Sequence, residues 1–278
     1  MEFIYTRKQV DTPEEYLAAL RKGYIDIVLP KEQEPALFAR LQCEQNADIS
    51  FKYKYARLLL DGIGCEKDTT LVYVLLYPLA EHGYAPAQTT LGWCYTAGEG
   101  VPRDPACAVQ WFKKAAAQDY APAQHNLGVC YYSGIGVSKN LSRAAGRFEQ
   151  AAQQGYVLAQ RDLGVCYEKG EGVPQNDKKA AHWYKKAAEA GYTEAQSILG
   201  ICYYKGRGIS QSYKRAAKWF AKAADAGDAT AQFNLGLCYL HGRGVLESSA
   251  LAAYWFEQSA KQGVAKAAEA LALLRGDN

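Results

Sequence analysis

The fold is decided by a stretch that the chain repeats, and one copy reads DYAPAQHNLGVCYYSGIGVSKNLSRAAGRFEQAAQQ over residues 119–154. Four more segments share its Ala-Gln, Leu-Gly and Cys-Tyr pairs and its Gly-x-Gly followed by Val or Ile. They begin at Gly83, Gly155, Gly191 and Gly227. Successive copies start 36 residues apart, without insertion or deletion. This strict spacing predicts a protein built of stacked structural repeats.

Each repeat is predicted to contain two helices. Apolar and small residues recur at steps of three and four over residues 123–131, which indicates one face of a first helix. Gly134 can take the left-handed conformation that ends it. A second helix is predicted around residues 144–152. Gly128 lies inside the first helix, where glycine costs about 1 kcal/mol relative to alanine. Its recurrence in the four segments named above predicts that the second helix packs too closely to admit a Cβ.

One helix pair cannot bury its apolar face alone, so we expect an all-α fold, a right-handed α/α solenoid of 36-residue helix-pair repeats. The predicted repeats cover 47–82, 83–118, 119–154, 155–190, 191–226 and 227–262, with a capping helix at 34–46 and a C-terminal one within 263–278. Residues 1–33 predict a small strand–helix–strand (βαβ-like) unit. Its strands are Glu2–Thr6 and Tyr24–Leu29, and Thr12 caps the helix between them.

Composition restricts the possible functions. The 278 residues carry a net charge of +3 and have a pI near 8.3. This near balance argues against a dedicated nucleic-acid binder, which concentrates Lys and Arg on one face. The longest apolar run, Leu71–Tyr77, is far shorter than the ~20 residues that span a bilayer. Because the N-terminal residues do not resemble a secretory signal either, we expect a cytoplasmic protein.

The repeat consensus resembles a known family. It reads A-x-x-x-L-G-x-x-Y-x-x-G-x-G-V, followed by A-x-x-W-[FY]-x-K-A-A-x-x-G. This pattern is similar to the Sel-1-like repeat, a longer-looped relative of the tetratricopeptide repeat, over about residues 47–263. The resemblance implies a bacterial adaptor or partner-binding scaffold without catalysis of its own, with a role in signalling, secretion or toxin immunity.

The chain has eight cysteines, and some secreted members of the family carry a disulfide within each repeat. Five cysteines here share one repeat position: Cys94, Cys130, Cys166, Cys202 and Cys238. These cysteines lie on equivalent helices of successive repeats, and such helices are at least ~8–10 Å apart. A disulfide needs the two Cα atoms within ~7 Å. We therefore expect free, buried thiols in a reducing compartment. Cys43 and Cys65 are also expected to be buried and Cys107 to be exposed. The spacings do not predict a metal site.

The histidines do not form a recognisable catalytic pattern. His82, His125, His182 and His241 occupy different repeat positions, and none belongs to an H-E-x-x-H arrangement. Each is expected to lie on the surface or in a groove. The N-terminal unit offers only scattered acids. We therefore expect no catalytic residue, no metal and no cofactor, and an enzyme is the least favoured function.

Resemblance to the tetratricopeptide repeat implies a concave groove lined by the first helices. Side chains two before the repeated Leu, and two, five and six after it, would face the groove. The implied groove residues are Thr89, Trp93, Thr96, His125, Tyr132, Arg161, Glu168, Lys169, Ser197, Tyr204, Lys205, Phe233, Leu240 and His241. Aromatic and arginine side chains often dominate binding energy. We expect a monomeric scaffold that binds a protein or peptide of acidic character, without a nucleic-acid or membrane partner. The alternative is nucleic-acid or nucleoprotein binding along the basic groove residues.

A second candidate surface lies in the second helix of the first repeat. Leu71, Val74 and Tyr77 are apolar or aromatic where the other repeats carry mostly charged or polar residues. Contiguous apolar patches on soluble proteins usually mark contacts. Either the N-terminal unit covers this patch or a partner binds it, and the sequence leaves both interpretations open.

Overall fold

A computed structural model describes residues 8–9, 15, 27–28, 49–63 and 66–276 of the chain. In these ranges the chain forms thirteen helices and one pair of short strands. The helices are α1 (Ile49–Asp61), α2 (Thr69–Glu81), α3 (Ala85–Ala97), α4 (Pro105–Ala116), α5 (Ala121–Ser133), α6 (Leu141–Gln153), α7 (Val157–Lys169), α8 (Asp177–Glu189), α9 (Thr193–Lys205), α10 (Tyr213–Asp225), α11 (Ala229–Leu240), α12 (Ser249–Lys261) and α13 (Ala265–Arg275).

The strands β1 (Lys8–Gln9) and β2 (Ile27–Val28) pair in parallel, with Lys8 opposite Ile27. The predicted strand–helix–strand unit is not supported. In the described part of the chain, each of the two strands contains only two residues. An isolated two-stranded pair is marginal in water. The predicted strand Glu2–Thr6, the cap at Thr12 and the capping helix at 34–46 lie outside the described residues.

The chain divides into two compact units, Met1–Ala159 and Gln160–Asn278. In the first unit, each helix from α1 to α6 packs against the next along the chain. In the second unit, the helices from α8 to α13 pack consecutively in the same way. Consecutive helix pairs therefore stack as a solenoid, and the prediction from the 36-residue period is confirmed.

The Gly-x-Gly turn ends each first helix, and the third repeat shows why both glycines recur. Gly134 has φ 75°, and its N–H donates to the carbonyl of Cys130 at 2.8 Å. Gly136 has φ 68°, and a Cβ there would collide with the carbonyl oxygen of Pro105 in the preceding repeat. The first glycine stops the helix, and the second lets the turn lie directly on the neighbouring repeat.

Most of the second helices start at a polar side chain that caps the first free backbone N–H groups. In α6, the side-chain oxygen of Asn140 accepts a hydrogen bond from the backbone N–H of Arg143 at 2.9 Å. The equivalent caps of α2, α4, α8, α10 and α12 are Asp68, Asp104, Asn176, Ser212 and Ser248.

The interior glycine of the first helix faces an aromatic ring of the second. A Cβ built on Gly128 would lie 2.6 Å from Cε1 of Phe148, far inside van der Waals contact. Equivalent close contacts occur between Gly92 and Phe112, Gly164 and Tyr184, Gly200 and Phe220, and Gly236 and Phe256. The prediction that a Cβ would not fit between the paired helices is confirmed.

The glutamine of the repeated Ala-Gln pair is buried, and its side chain joins helices by hydrogen bonds. Gln124 is 1% exposed, and its Oε1 accepts from Nε2 of Gln154 at 2.8 Å. Its own Nε2 donates to Asp119 at 3.3 Å. Gln88 accepts from Gln118 in the same manner at 2.9 Å. Because a buried amide needs partners for both its oxygen and its nitrogen, the glutamine ties the start of the first helix to the end of the second.

The five equivalent cysteines are free and buried, as predicted. Burial raises the pKa of the Cys94 and Cys130 thiols to about 11, so both stay protonated at neutral pH. Cys107, expected to be exposed, is half-buried, because it packs against the apolar core of the first two repeats. The prediction for Cys107 was wrong. Cys43 and Cys65 lie outside the described residues.

Candidate functional site

In the first unit, the groove residues Trp93, Thr96 and Tyr132 lie on α3 and α5. Trp93 is 48% exposed, whereas Thr96 and Tyr132 are half-buried. The Thr96 hydroxyl donates to the carbonyl of Gly92 at 2.9 Å and is thereby occupied within its own helix. Trp93 is therefore the large side chain that these positions offer to a partner.

Three predicted groove residues are buried, which corrects the prediction for them. Thr89 is 9% exposed, His125 is 8% exposed and Ser197 is 3% exposed. The ring of His125 lies 5.6 Å from that of Phe148 and 5.2 Å from that of Tyr156. The position two before the repeated leucine thus faces neighbouring helices, and its side chain serves packing rather than recognition.

In the second unit the same position also holds Arg161 and Phe233, and these two are half-buried. Arg161 lies 2.7 Å from a carboxylate oxygen of Asp162 and 3.7 Å from one of Glu194. Its charge is therefore largely compensated within the chain. The ring of Phe233 packs 5.7 Å from that of Phe256.

Glu168, five residues after a repeated leucine, is held by two neighbours. Arg207 lies 2.6 Å from one oxygen of its carboxylate, and the Tyr184 hydroxyl donates to the other at 2.5 Å. Burial, together with this hydrogen bond, raises the pKa of Tyr184. The carboxylate of Glu168 therefore braces two repeats and is not a free charge for a partner.

Tyr204 is the equivalent of Glu168 one repeat later, and the equivalent arginine binds it. Arg243 donates to the Tyr204 hydroxyl, and its guanidinium lies 5.5 Å from the centroid of that ring. It also lies 5.7 Å from the ring of Tyr213. Both arginines stand between the two turn glycines of their repeats, and the sequence analysis did not identify either. The sequence did contain a signal for them, because only these two Gly-x-Gly turns have arginine between the glycines.

The remaining groove positions of the second unit are open to solvent at the helix ends. Lys169 ends α7, Lys205 ends α9 and His241 directly follows α11, and all three are exposed. Leu240 is half-buried. Among the described residues, neither lysine forms an ion pair. These two cations are thus available to a partner, whereas Arg161 and Arg207 are paired with carboxylates of the chain.

The second candidate patch is partly exposed. Val74 is 58% and Tyr77 39% exposed, whereas Leu71 is half-buried against the core. Tyr77 packs edge-on to the ring of Trp111 at 6.1 Å. The N-terminal residues predicted to cover this patch lie mostly outside the described ones, so both interpretations stay predictions.

The last repeat has an apolar surface at the same positions, which the sequence analysis missed. Leu251 is equivalent to Leu71 and is 43% exposed, and Tyr254 is equivalent to Val74 and is 51% exposed. Leu246, on the preceding loop, is 90% exposed. The first and last repeats thus both carry apolar side chains where the inner repeats are mostly polar or charged.

The histidines are distributed as single side chains. His82 and His182 are exposed, and a ring nitrogen of His82 lies 2.7 Å from the carbonyl oxygen of Pro78. Across residues 49–63, 66–276 and the short ranges before them, no group of three or more His, Cys, Asp or Glu side chains could hold a metal ion. None of the thirteen described helices is long and apolar enough to cross a membrane.

The family model described as Sel1 repeat matches six consecutive segments, at 50–83, 85–120, 121–156, 157–192, 193–228 and 229–264. A protective antigen present in uropathogenic Escherichia coli strains has a similar structure, with a TM-score of 0.77 and 35% identity. The match covers 85% of this chain and 51% of that one. The chain therefore spans about half the length of that protein.

A Sel1 repeat protein from Oxalobacter formigenes has a TM-score of 0.65 and 33% identity, over 72% of this chain and 88% of its own. An immunity protein from Pseudomonas aeruginosa has a TM-score of 0.50 and 18% identity, over 79% of this chain and 83% of its own. At that identity, the likeness concerns the fold alone. No match is found among curated proteins.

Proposed function

Because the chain belongs to the Sel1 repeat family, whose members are generally non-catalytic protein-interaction scaffolds, we propose that it is itself a scaffold that binds a partner protein. The observation that carries the proposal is the contrast within the repeats. The leucine, glycine and cysteine of the first helix keep the same buried places, while the residues five and six after the leucine vary among the five repeats from 83 to 262, and the sixth is exposed in each. Such variation over a constant framework is typical of a recognition surface.

The charges favour an acidic partner. Lys169 and Lys205 are exposed and form no ion pair with the described residues, and Arg243, which donates to the Tyr204 hydroxyl, adds a positive charge near the end of α9. In the first unit, the half-exposed Trp93 supplies an aromatic anchor. A role in bacterial signalling, secretion or toxin immunity belongs to this proposal.

We place the protein in a reducing compartment, the cytoplasm. Supporting this, Cys94, Cys130, Cys166, Cys202 and Cys238 are free, buried thiols. Burial raises the pKa of Cys238 to about 11 and that of Cys166 to about 12, so neither is a reactive thiolate at neutral pH.

The test is to isolate the partner by affinity capture from the source organism and to measure its Kd by calorimetry. Lys169→Glu/Lys205→Glu should weaken binding at least about tenfold, because two cations facing an acidic partner become repulsive. The control is Lys178→Glu/Lys214→Glu, the same charge change at exposed positions of α8 and α10. Equal losses in both variants would show that only net charge matters. Retention of nucleic acid at low salt, in place of a protein, would favour the nucleic-acid alternative.

A further inference from the structure

A basic cleft lies in the first unit, between the second helix of one repeat and the turn of the next. Its volume is about 290 Å³. Lys113 on α4, Tyr131 on α5, the loop at 137–140 and Arg143 on α6 line it. None of its lining residues is among the groove positions described above, and Lys139 Nζ lies 5.9 Å from the ring centroid of the groove residue Tyr132.

Three cations surround this cleft without an acid among them. Lys113, Lys139 and Arg143 are exposed, and none of the three forms an ion pair with any described residue. Three other cations of the first unit do have an acidic partner, for example Lys114, which lies 3.4 Å from Glu81. The cleft is therefore a concentration of uncompensated positive charge.

The polar lining adds donors to the same space. Asn140 caps α6, and the positive end of the helix dipole points toward the cleft mouth. Tyr131 also lines the cleft and is 8% exposed as a whole residue. The guanidinium of Arg143 lies 5.7 Å from the centroid of the Tyr131 ring.

The combination of three cations is specific to this repeat. The positions equivalent to Lys113, Lys139 and Arg143 never hold three cations together in another repeat. Shifting the three positions by multiples of 36 residues gives one set of three for each of the other places in the chain. In chain order, these sets are Leu41, Lys67 and Leu71; Tyr77, Arg103 and Cys107; Glu149, Gln175 and Lys179; Lys185, Gln211 and Arg215; and Ala221, Glu247 and Leu251. Solubility alone does not explain why one repeat differs from the other five.

We propose that this cleft binds the carboxylates of an Asp/Glu-rich segment of a partner protein. The volume exceeds what one small anion fills, and the cations approach from three separate elements, which suits charge spread over adjacent carboxylates. The proposal rests on the proposed scaffold function but concerns a different set of residues. A partner can thus be held at Lys169 and Lys205 whether or not the cleft binds its acidic segment.

The experiment uses the full chain and a fluorescein-labelled Asp/Glu-rich peptide, with Kd measured by fluorescence anisotropy at low and physiological salt. Lys113→Glu/Arg143→Glu should raise Kd at least about tenfold. The matched control, Lys185→Glu/Arg215→Glu, makes the same charge change at the equivalent positions two repeats later. It should stay within about twofold of the unaltered chain. Lys113→Gln/Arg143→Gln removes the charge without reversing it and should also weaken binding.

Thermal unfolding of each variant checks that the fold is kept. If Lys113→Glu/Arg143→Glu does not fold, the Kd of Lys113→Gln/Arg143→Gln tests whether the cleft binds the peptide. Three results would overturn the proposal: no peptide binding by the unaltered chain at low salt, an equal loss in the matched control, or tighter binding of a phosphoserine peptide than of the acidic one. The last would assign the cleft to phosphorylated segments instead. Calorimetry with the captured partner and Lys169→Glu/Lys205→Glu tests the scaffold function independently.

Discussion

At the residue scale, an interior glycine and an aromatic ring share the space between the two helices of a repeat. Gly128→Ala would place its Cβ against the ring of Phe148 at 2.6 Å. We expect the free energy of unfolding to fall by about 1–3 kcal/mol, because overpacking outweighs the gain of up to about 1 kcal/mol in helix propensity. Urea denaturation measures the difference.

The same repeat contains a matched control for this prediction. Gly146 lies inside α6, where a Cβ would meet no atom within 4 Å. Gly146→Ala should therefore raise the free energy of unfolding, by about 0.5–1 kcal/mol. If Gly128→Ala also stabilised the protein, the paired helices would have to separate more easily than their contact indicates.

The buried thiols predict how stability depends on pH. Burial raises the pKa of Cys94 and Cys130 to about 11, whereas an unfolded thiol titrates near ~8.5. The folded state therefore binds more protons between these values, so their contribution to stability is full below about pH 8.5 and is lost as pH rises toward 11. We expect the free energy of unfolding to decline over this range in denaturant titrations. A Cys94→Ala/Cys130→Ala variant should decline less steeply, and an identical slope would contradict this account.

At the element scale, the G-R-G turn of one repeat braces the first helix of the repeat before it. Arg207→Ala should lower the free energy of unfolding by about 0.5–1 kcal/mol, since the ion pair with Glu168 is partly exposed and solvent screens it. Lys205→Ala, beside the turn and without an ion pair among the described residues, should change stability by less than about 0.5 kcal/mol. A double-mutant cycle of Arg207→Ala with Glu168→Gln isolates the pair. A coupling energy of zero would mean that the turn arginine does not brace the helix.

At the scale of the whole molecule, the helices of each unit rely on their sequence neighbours for burial, as expected of a repeat protein. In the second unit, α13 packs on α12, and Arg275 lies 3.3 Å from the carboxylate of Glu257. Ending the chain at Gly263 should lower the urea midpoint, because the face of α12 under α13 becomes exposed. Glu257→Gln, which removes the ion pairs with Arg275 and Lys261 but keeps α13, should leave the midpoint nearly unchanged. Equal midpoints for the truncated and full chains would show that α13 contributes no packing energy.

The sequence by itself determined the helix pairs, their 36-residue period and the buried thiols. These features follow from local rules: apolar spacing sets a helix face, glycine stops a helix, and an interior glycine such as Gly128 indicates a close contact. Repetition strengthened each signal, because the same residue appears in the same place five times. The family and its general function followed from that pattern as well.

Only the tertiary structure decided which groove positions are available to a partner. His125 and Ser197 are buried, and Glu168 is bound by Arg207, a residue 39 positions later in the chain. Cys107 became half-buried for a similar reason, since the core of the first two repeats lies against it. The repeat pattern indicates on which face of its helix a side chain lies. It does not indicate which side chain of the next repeat lies opposite. Burial and pairing depend on that neighbour, which is distant in sequence and adjacent only after packing.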